Sequence, residues 1–148
     1  MKPAAAIPMY IGGRAEPALR RAGELADGWI MGPFGTVDDF RQAWSTVRDA
    51  ARAVGREADT LVAGRLIYIA IDEDRDRARE ILRRFLHGYY GPTFDVDRHA
   101  VFGPPGEVAM RLREQVDAGM THLMLGVPTL DLAHLRRVAE QVAPALRA

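Results

Sequence analysis

PMYIGGRAEPALRRAGELADGW, residues 8–29, reads as a short apolar strand, two glycines and an arginine, then an amphipathic helix that stops at Asp27-Gly28. Paired glycines where a strand hands over to a helix suit an anion. Glycine lets the backbone approach a ligand, and the amides of a helix start carry partial positive charge. Pro17 fits the first turn, because its missing N–H would be unpaired there in any case. Ala18, Ala22 and Leu25, with Leu19 and Ala26, give the helix a narrow apolar stripe whose small residues allow close packing on a sheet.

The same alternation continues along the chain. Gly28–Met31 is a second short strand, closed by Gly32-Pro33. Thr36 begins a helix with Asp39 in the position of a capping box, and Phe40, Ala43, Trp44, Val47, Ala50, Ala51 and Val54 recur at helical spacing up to Gly55. Leu61–Ile71 is the clearest strand, apolar on both faces in its second half, as in a covered parallel strand. Asp72–Asp74 start a third helix with Ala78, Ile81, Leu82, Phe85, Leu86 and Tyr89 on one side, broken at Gly91-Pro92. Thr93–Phe102 has no periodicity and is expected to be loop. GPPG at residues 103–106 opens a helix with Val108, Leu112 and Val116 inward and Gly119 as its stop. Thr121–Val127 is the fourth strand. Asp131 caps a last helix carrying Leu132, Leu135, Val138, Ala139, Val142 and Leu146, with Pro144 in its final turns.

Strand–helix pairs repeated four times imply a parallel sheet with right-handed crossovers. Two architectures fit: an open α/β sheet of flavodoxin type, or half of a TIM-type (β/α) barrel. In the first, strand order is shuffled; in the second, neighbours follow chain order. The 148 residues make one domain, too short for a whole barrel of roughly 250 residues. Formal net charge is zero, so no global field draws in nucleic acid or an anionic membrane. With no cysteine there is no disulfide, thiolate metal site or cysteine nucleophile. The opening MKPAAAIPMYIGG holds no apolar run long enough for a signal peptide or membrane span, and a cytoplasmic protein is expected.

Four motifs in this order, IPMYIGGRAEPALRRAGELADGW (7–29), VGRE (54–57), IAIDEDRDRAR (69–79) and VFGPPGEVAMRLREQVDAGMTHLML (101–125), resemble the C-terminal half of the bacterial-luciferase-like family of flavin- and deazaflavin-dependent oxidoreductases. The resemblance covers Ile7 to about Val142. It implies a half TIM-type barrel over residues 1–148, with four parallel strands each followed by a helix. It also implies a cofactor, FMN or the deazaflavin coenzyme F-420, whose phosphate lies against Ile11, Gly12, Gly13, Arg14 and Ala15. The family's chemistry is hydride transfer or monooxygenation of a small organic substrate. The N-terminal half, which in the family contacts the isoalloxazine ring and commonly supplies the catalytic side chains, has no counterpart here, so no catalytic residue is carried over. The expected chain is therefore inactive alone and paired with a second copy or a separate N-terminal half-barrel, or else is a non-enzymatic assembly module.

The remaining polar residues fit quieter roles. His87, His99, His122 and His134 lack metal-ligand spacing, and no metal is expected. His122 suits a hydrogen-bonded core or barrel-end position, and His134 the outer face of the last helix. Arg98-His99, in the irregular segment, is the leading further site candidate. Asp72-Glu73-Asp74 reads as a helix cap, and Trp29 and Trp44 as core.

Overall fold

The computed structural model describes residues 6–129 and 131–146. The segment 1–5, with Lys2 and the start of the apolar opening, lies outside them. Five strands form: β1 (Tyr10–Gly12), β2 (Gly28–Met31), β3 (Val62–Ile71), β4 (Val101–Gly103) and β5 (His122–Gly126). The helices are α1 (Glu16–Leu25), α2 (Val37–Ala53), α3 (Arg75–Tyr90), α4 (Val96–His99), α5 (Pro105–Asp117) and α6 (Leu132–Arg137).

Every strand pairing is parallel. Gly64 pairs with both Ile30 and His122, and Arg65 with both Met31 and Leu123, so β2 and β5 flank opposite edges of β3. The order β1-β2-β3-β5 follows the chain, as in a barrel wall, and rules out the doubly wound alternative. Beyond the end of β5, residues Ile69–Ile71 of β3 pair with β4.

The segment Thr93–Phe102 is therefore not a loop. Asp95 caps α4 by accepting from Arg98 N–H at 3.1 Å, and β4 follows immediately. Both elements are too short for periodicity to reveal them. The other expected strands and helices form within two residues of their expected limits, and the Thr36–Asp39 capping box closes in both directions. The last helix changes character: α6 ends at Arg137, and the backbone widens to a π turn over Val138–Val142 before a tight 3-10 turn over Ala143–Leu146.

Alternate residues of the sheet face opposite ways. Ile11, Trp29, Met31 and Ala63 pack under α1 and α2 with Leu19, Phe40 and Val47. Ile67, Ile69 and Ile71 meet Val108 and Leu112 of α5 and Val142. A third cluster joins Ala70, Leu82, Leu86, Phe94 and Phe102. Several stripe assignments change: Leu25, Val54, the row Ile81, Phe85 and Tyr89, and Leu132, Leu135 and Ala139 of the last helix are exposed, because each of these helices buries only one narrow edge.

The opposite face of the sheet alternates large and small across the register. Tyr10, Gly28 and Val62 lie side by side, then Gly12, Ile30, Gly64 and His122, and farther on Tyr68 beside Gly126. The large residues lie over the glycines: a Cβ on Gly64 would sit 2.4 Å from Ile30 Cδ1, and one on Gly126 2.6 Å from the Tyr68 ring. This small-and-large interlock is how the inside of a small barrel fills its taper.

Candidate functional site

The site grows from the end of β1. Gly13 has φ +113°, a conformation only glycine adopts without strain, whereas Gly12 has no positive φ. The Gly13 carbonyl accepts from Trp29 Nε1 at 2.8 Å. Trp29 is fully buried and stacked on Phe40, with ring centroids 5.7 Å apart, so the turn is held from below by a rigid core side chain. Trp29 is thus core, as its sequence position suggested, and also a support for the turn, which the sequence did not reveal.

Past the turn, α1 begins at Glu16 with Ala15 as N-cap and no side-chain cap. By contrast Thr36, Asp74 and Asp131 cap α2, α3 and α6 with their own oxygens. Pro17 has no N–H and the Ala18 amide donates to the Ala15 carbonyl at 2.9 Å, so the Glu16 N–H is the first-turn amide left without a side-chain cap. Arg14 is exposed, in no ion pair among the described residues, with its guanidinium 5.9 Å from the Phe34 ring centroid. Glu16, the nearby acid, is paired to Arg20 at 2.8 Å. A groove of about 810 Å3 runs from Arg14 and Ala15 down between α1 and α2, floored by Trp29 and Met31. Ile11 faces the helix side of the sheet and is partly buried there. The five expected residues thus run without a break from the end of β1 to the N-cap of α1, with Gly13, Arg14 and Ala15 presented outward.

Arg65 has no role that local sequence pattern indicates. It is 4% exposed on the outer face of β3, and donates from Nη1 to Gln115 Oε1 at 2.7 Å and from Nη2 to the Gly35 carbonyl at 2.6 Å. The available signal was an arginine inside an otherwise apolar strand. Gly35 also donates its N–H to His99 Nδ1 at 3.2 Å, and the His99 ring packs edge-on to Phe34 and Phe94. The segment carrying Arg98-His99 is thereby tied to the β2–α2 loop, and Phe34 links it to Arg14.

Burial lowers the His99 pKa from its ordinary 6.5, reinforced by the fields of Arg98 and Arg65 and opposed by Asp95. Burial also lowers that of His134. A histidine whose folded pKa is depressed stays neutral when folded but takes a proton when unfolded. Stability is then full above the unfolded value and falls as pH drops from 6.5 toward the folded pKa. The melting temperature should decline as pH falls through about 6.5, less steeply in His99→Gln, as followed by circular dichroism.

The other histidines are structural or surface groups. His87 Nε2 lies 3.1 Å from the Phe94 carbonyl, and His122 is exposed beside Thr121. His134 is half-buried rather than fully outward, with Nε2 buried and unpartnered. Asp74 caps α3 by accepting from Asp76 and Arg77 N–H, as the acidic run implied. No cluster of three or more His, Asp or Glu among the described residues could hold a metal. No described helix is long and apolar enough to cross a membrane.

Chain-ordered parallel strands, a filled-taper inner face and a glycine turn at a strand's C-terminal end define a half-barrel of the TIM type with a candidate anion site. The profile of the luciferase-like monooxygenase family matches residues 1–93, and the chain belongs to that family. It is 28% identical to an F420-dependent glucose-6-phosphate dehydrogenase of Nakamurella multipartita, over 99% of this chain and 50% of the relative. It is 26% identical to a 5,10-methylenetetrahydromethanopterin reductase of Methanopyrus kandleri, over 90% of this chain and 38% of the relative. In fold it resembles an F420-dependent secondary alcohol dehydrogenase bound to an F420-acetone adduct, with TM-score 0.86 at 19% identity, covering 99% of this chain and 51% of the other. It also resembles the FMN-bound oxygenating constituent of 3,6-diketocamphane monooxygenase of Pseudomonas putida, with TM-score 0.69 at 15% identity, covering 93% and 48%. The chain spans half or less of the length of these curated relatives.

Proposed function

We propose that this chain supplies the cofactor-phosphate side of a luciferase-like oxidoreductase or monooxygenase acting on a small organic substrate. The observation that carries this reading is the Gly13 turn, fixed by Trp29 ahead of a helix whose N-cap has no side-chain oxygen. Backbone amides of the turn and of the α1 start would receive the phosphate oxygens, and Arg14 would add a charge-assisted contact. Ile11 and Ala15 shape the turn, and Gly12 keeps its inner side open. The group that fits is FMN or coenzyme F-420, since both end in a phosphate-bearing side chain. When bound, F-420 would supply hydride chemistry and FMN hydride or oxygen chemistry, while the protein binds and orients the group. The reading also places the protein in the cytoplasm.

The four barrel strands leave Tyr10 and Met124 exposed on the inner face. A second half-barrel, from a separate N-terminal chain or from a second copy, would cover that face and close over the reactive ring. The purified chain should therefore bind FMN, read by fluorescence quenching, yet show no turnover with reduced FMN or reduced F-420. Turnover by the chain alone would overturn the requirement for a second half. The exposed inner face also favours a second reading, a non-enzymatic assembly module. Light scattering separates the two: association that ignores FMN supports the module, and FMN-dependent association supports the enzyme half.

A further inference from the structure

We infer a second anion site, sharing no lining residue with the groove at the Gly13 turn, in which Arg65, Arg98 and Arg111 receive a phosphate or similar small oxyanion group. The pocket holds about 280 Å3, below the roughly 300–1,000 Å3 of pockets for drug-sized ligands, which suits one oxyanion with a small substituent.

Arg65 is the core of the argument. A guanidinium has five N–H donors, and two are used here, on an amide oxygen and a backbone carbonyl. Its Nε is buried with no partner, and no carboxylate forms an ion pair with it among the described residues. Asp39 exerts a favourable field on it, but that carboxylate accepts from the N–H and hydroxyl of Thr36 at 2.7 and 2.9 Å. A buried cation without an anionic partner is expensive, and an anion arriving from solution would offset that.

The surroundings converge on the same ligand. Arg98 is exposed and Arg111 half-buried at the rim, and neither forms an ion pair among the described residues. His99 accepts from Gly35 at Nδ1, which leaves its hydrogen on Nε2 as a donor in the neutral ring. Thr36 and Val37, at the positive end of the 17-residue helix α2, line the pocket as well. Two acids also line it. Asp38 is neutralised by Arg41 at 2.7 Å, leaving Glu114 against three arginines. Arginine forks match the geometry of phosphate oxygens, which gives this site its preference for a tetrahedral oxyanion over chloride.

The test is a titration of the full chain with inorganic phosphate at constant ionic strength and neutral pH, reading the His99 imidazole resonances, assigned with H99Q. The expected result is a saturable His99 shift, weakened at least about tenfold in R98A/R111A and retained in R14A, whose lesion lies at the other site. Both substituted residues lie at the rim, and R98A alone carries the test if the double variant folds poorly. A His99 shift that is absent, that chloride reproduces, or that survives the loss of Arg98 overturns the inference.

Discussion

Gly23→Ala is expected to destabilise the fold by about 3 kcal/mol, near the upper end of what overpacking costs. A Cβ at this position would lie 2.1 Å from the Val47 carbonyl oxygen and 2.9 Å from the Ala51 nitrogen. Both are backbone atoms of α2, so no side chain can rotate aside and the two helices must separate. Separation loosens the cluster of Leu19, Phe40 and Val47 between them. Domain stabilities of about 5–15 kcal/mol make this a large fraction of the whole. Urea melts measure it, with Gly88→Ala as the control. Gly88 lies in α3 with open space around its Cβ position, and there alanine should stabilise by about 0.5–1 kcal/mol. Equal effects at the two positions would refute the close approach of α1 and α2.

Gly13→Val should weaken FMN binding at least tenfold and destabilise the chain by roughly 1–3 kcal/mol. A β-branched residue at φ +113° is strained whatever the space, and its Cβ would also press on Ala18 Cβ at 3.1 Å. Relaxing that strain turns the Gly13 carbonyl away from Trp29 and re-aims the amides beyond it. Gly12→Ala is the comparison. Gly12 needs no left-handed backbone, and a Cβ there meets only the Ile30 carbonyl oxygen at an ordinary 3.5 Å. Fluorescence titration reads both variants. Undiminished FMN affinity in Gly13→Val would remove the phosphate from this turn.

The two glycine variants bracket how much was legible beforehand. The strand–helix alternation could be read directly, because α1, α2, α3 and α5 each carry an apolar row at helical spacing and clear punctuation at Pro17, Thr36, Gly91 and Gly119. The turn at Gly12-Gly13 was legible as a turn, but not which glycine needed its freedom, since that depends on where Trp29 Nε1 lies, 16 residues away. Gly23 lies outside the apolar stripe of α1 that the spacing reveals. Its importance comes from α2, not from the sheet. The segment holding α4 and β4 was hidden because four- and three-residue elements have no period to detect. Arg65 and Gln115 are 50 residues apart, and local pattern says nothing about such a pair.

The two barrel edges, β1 and β5, are unlike in sequence and length, at three and five residues. A contact between copies that continues the barrel wall joins β5 of one to β1 of the next, head to tail and with all strands parallel. Such heterologous contacts have two fates. If each copy turns the wall through half a circle, two of them close into a ring with no edge left over. If the turn falls short or overshoots, every added copy exposes the edge that recruits another, and the product is a filament. For copies joined in this way, the curvature of the wall would decide between a finite dimer and an open polymer.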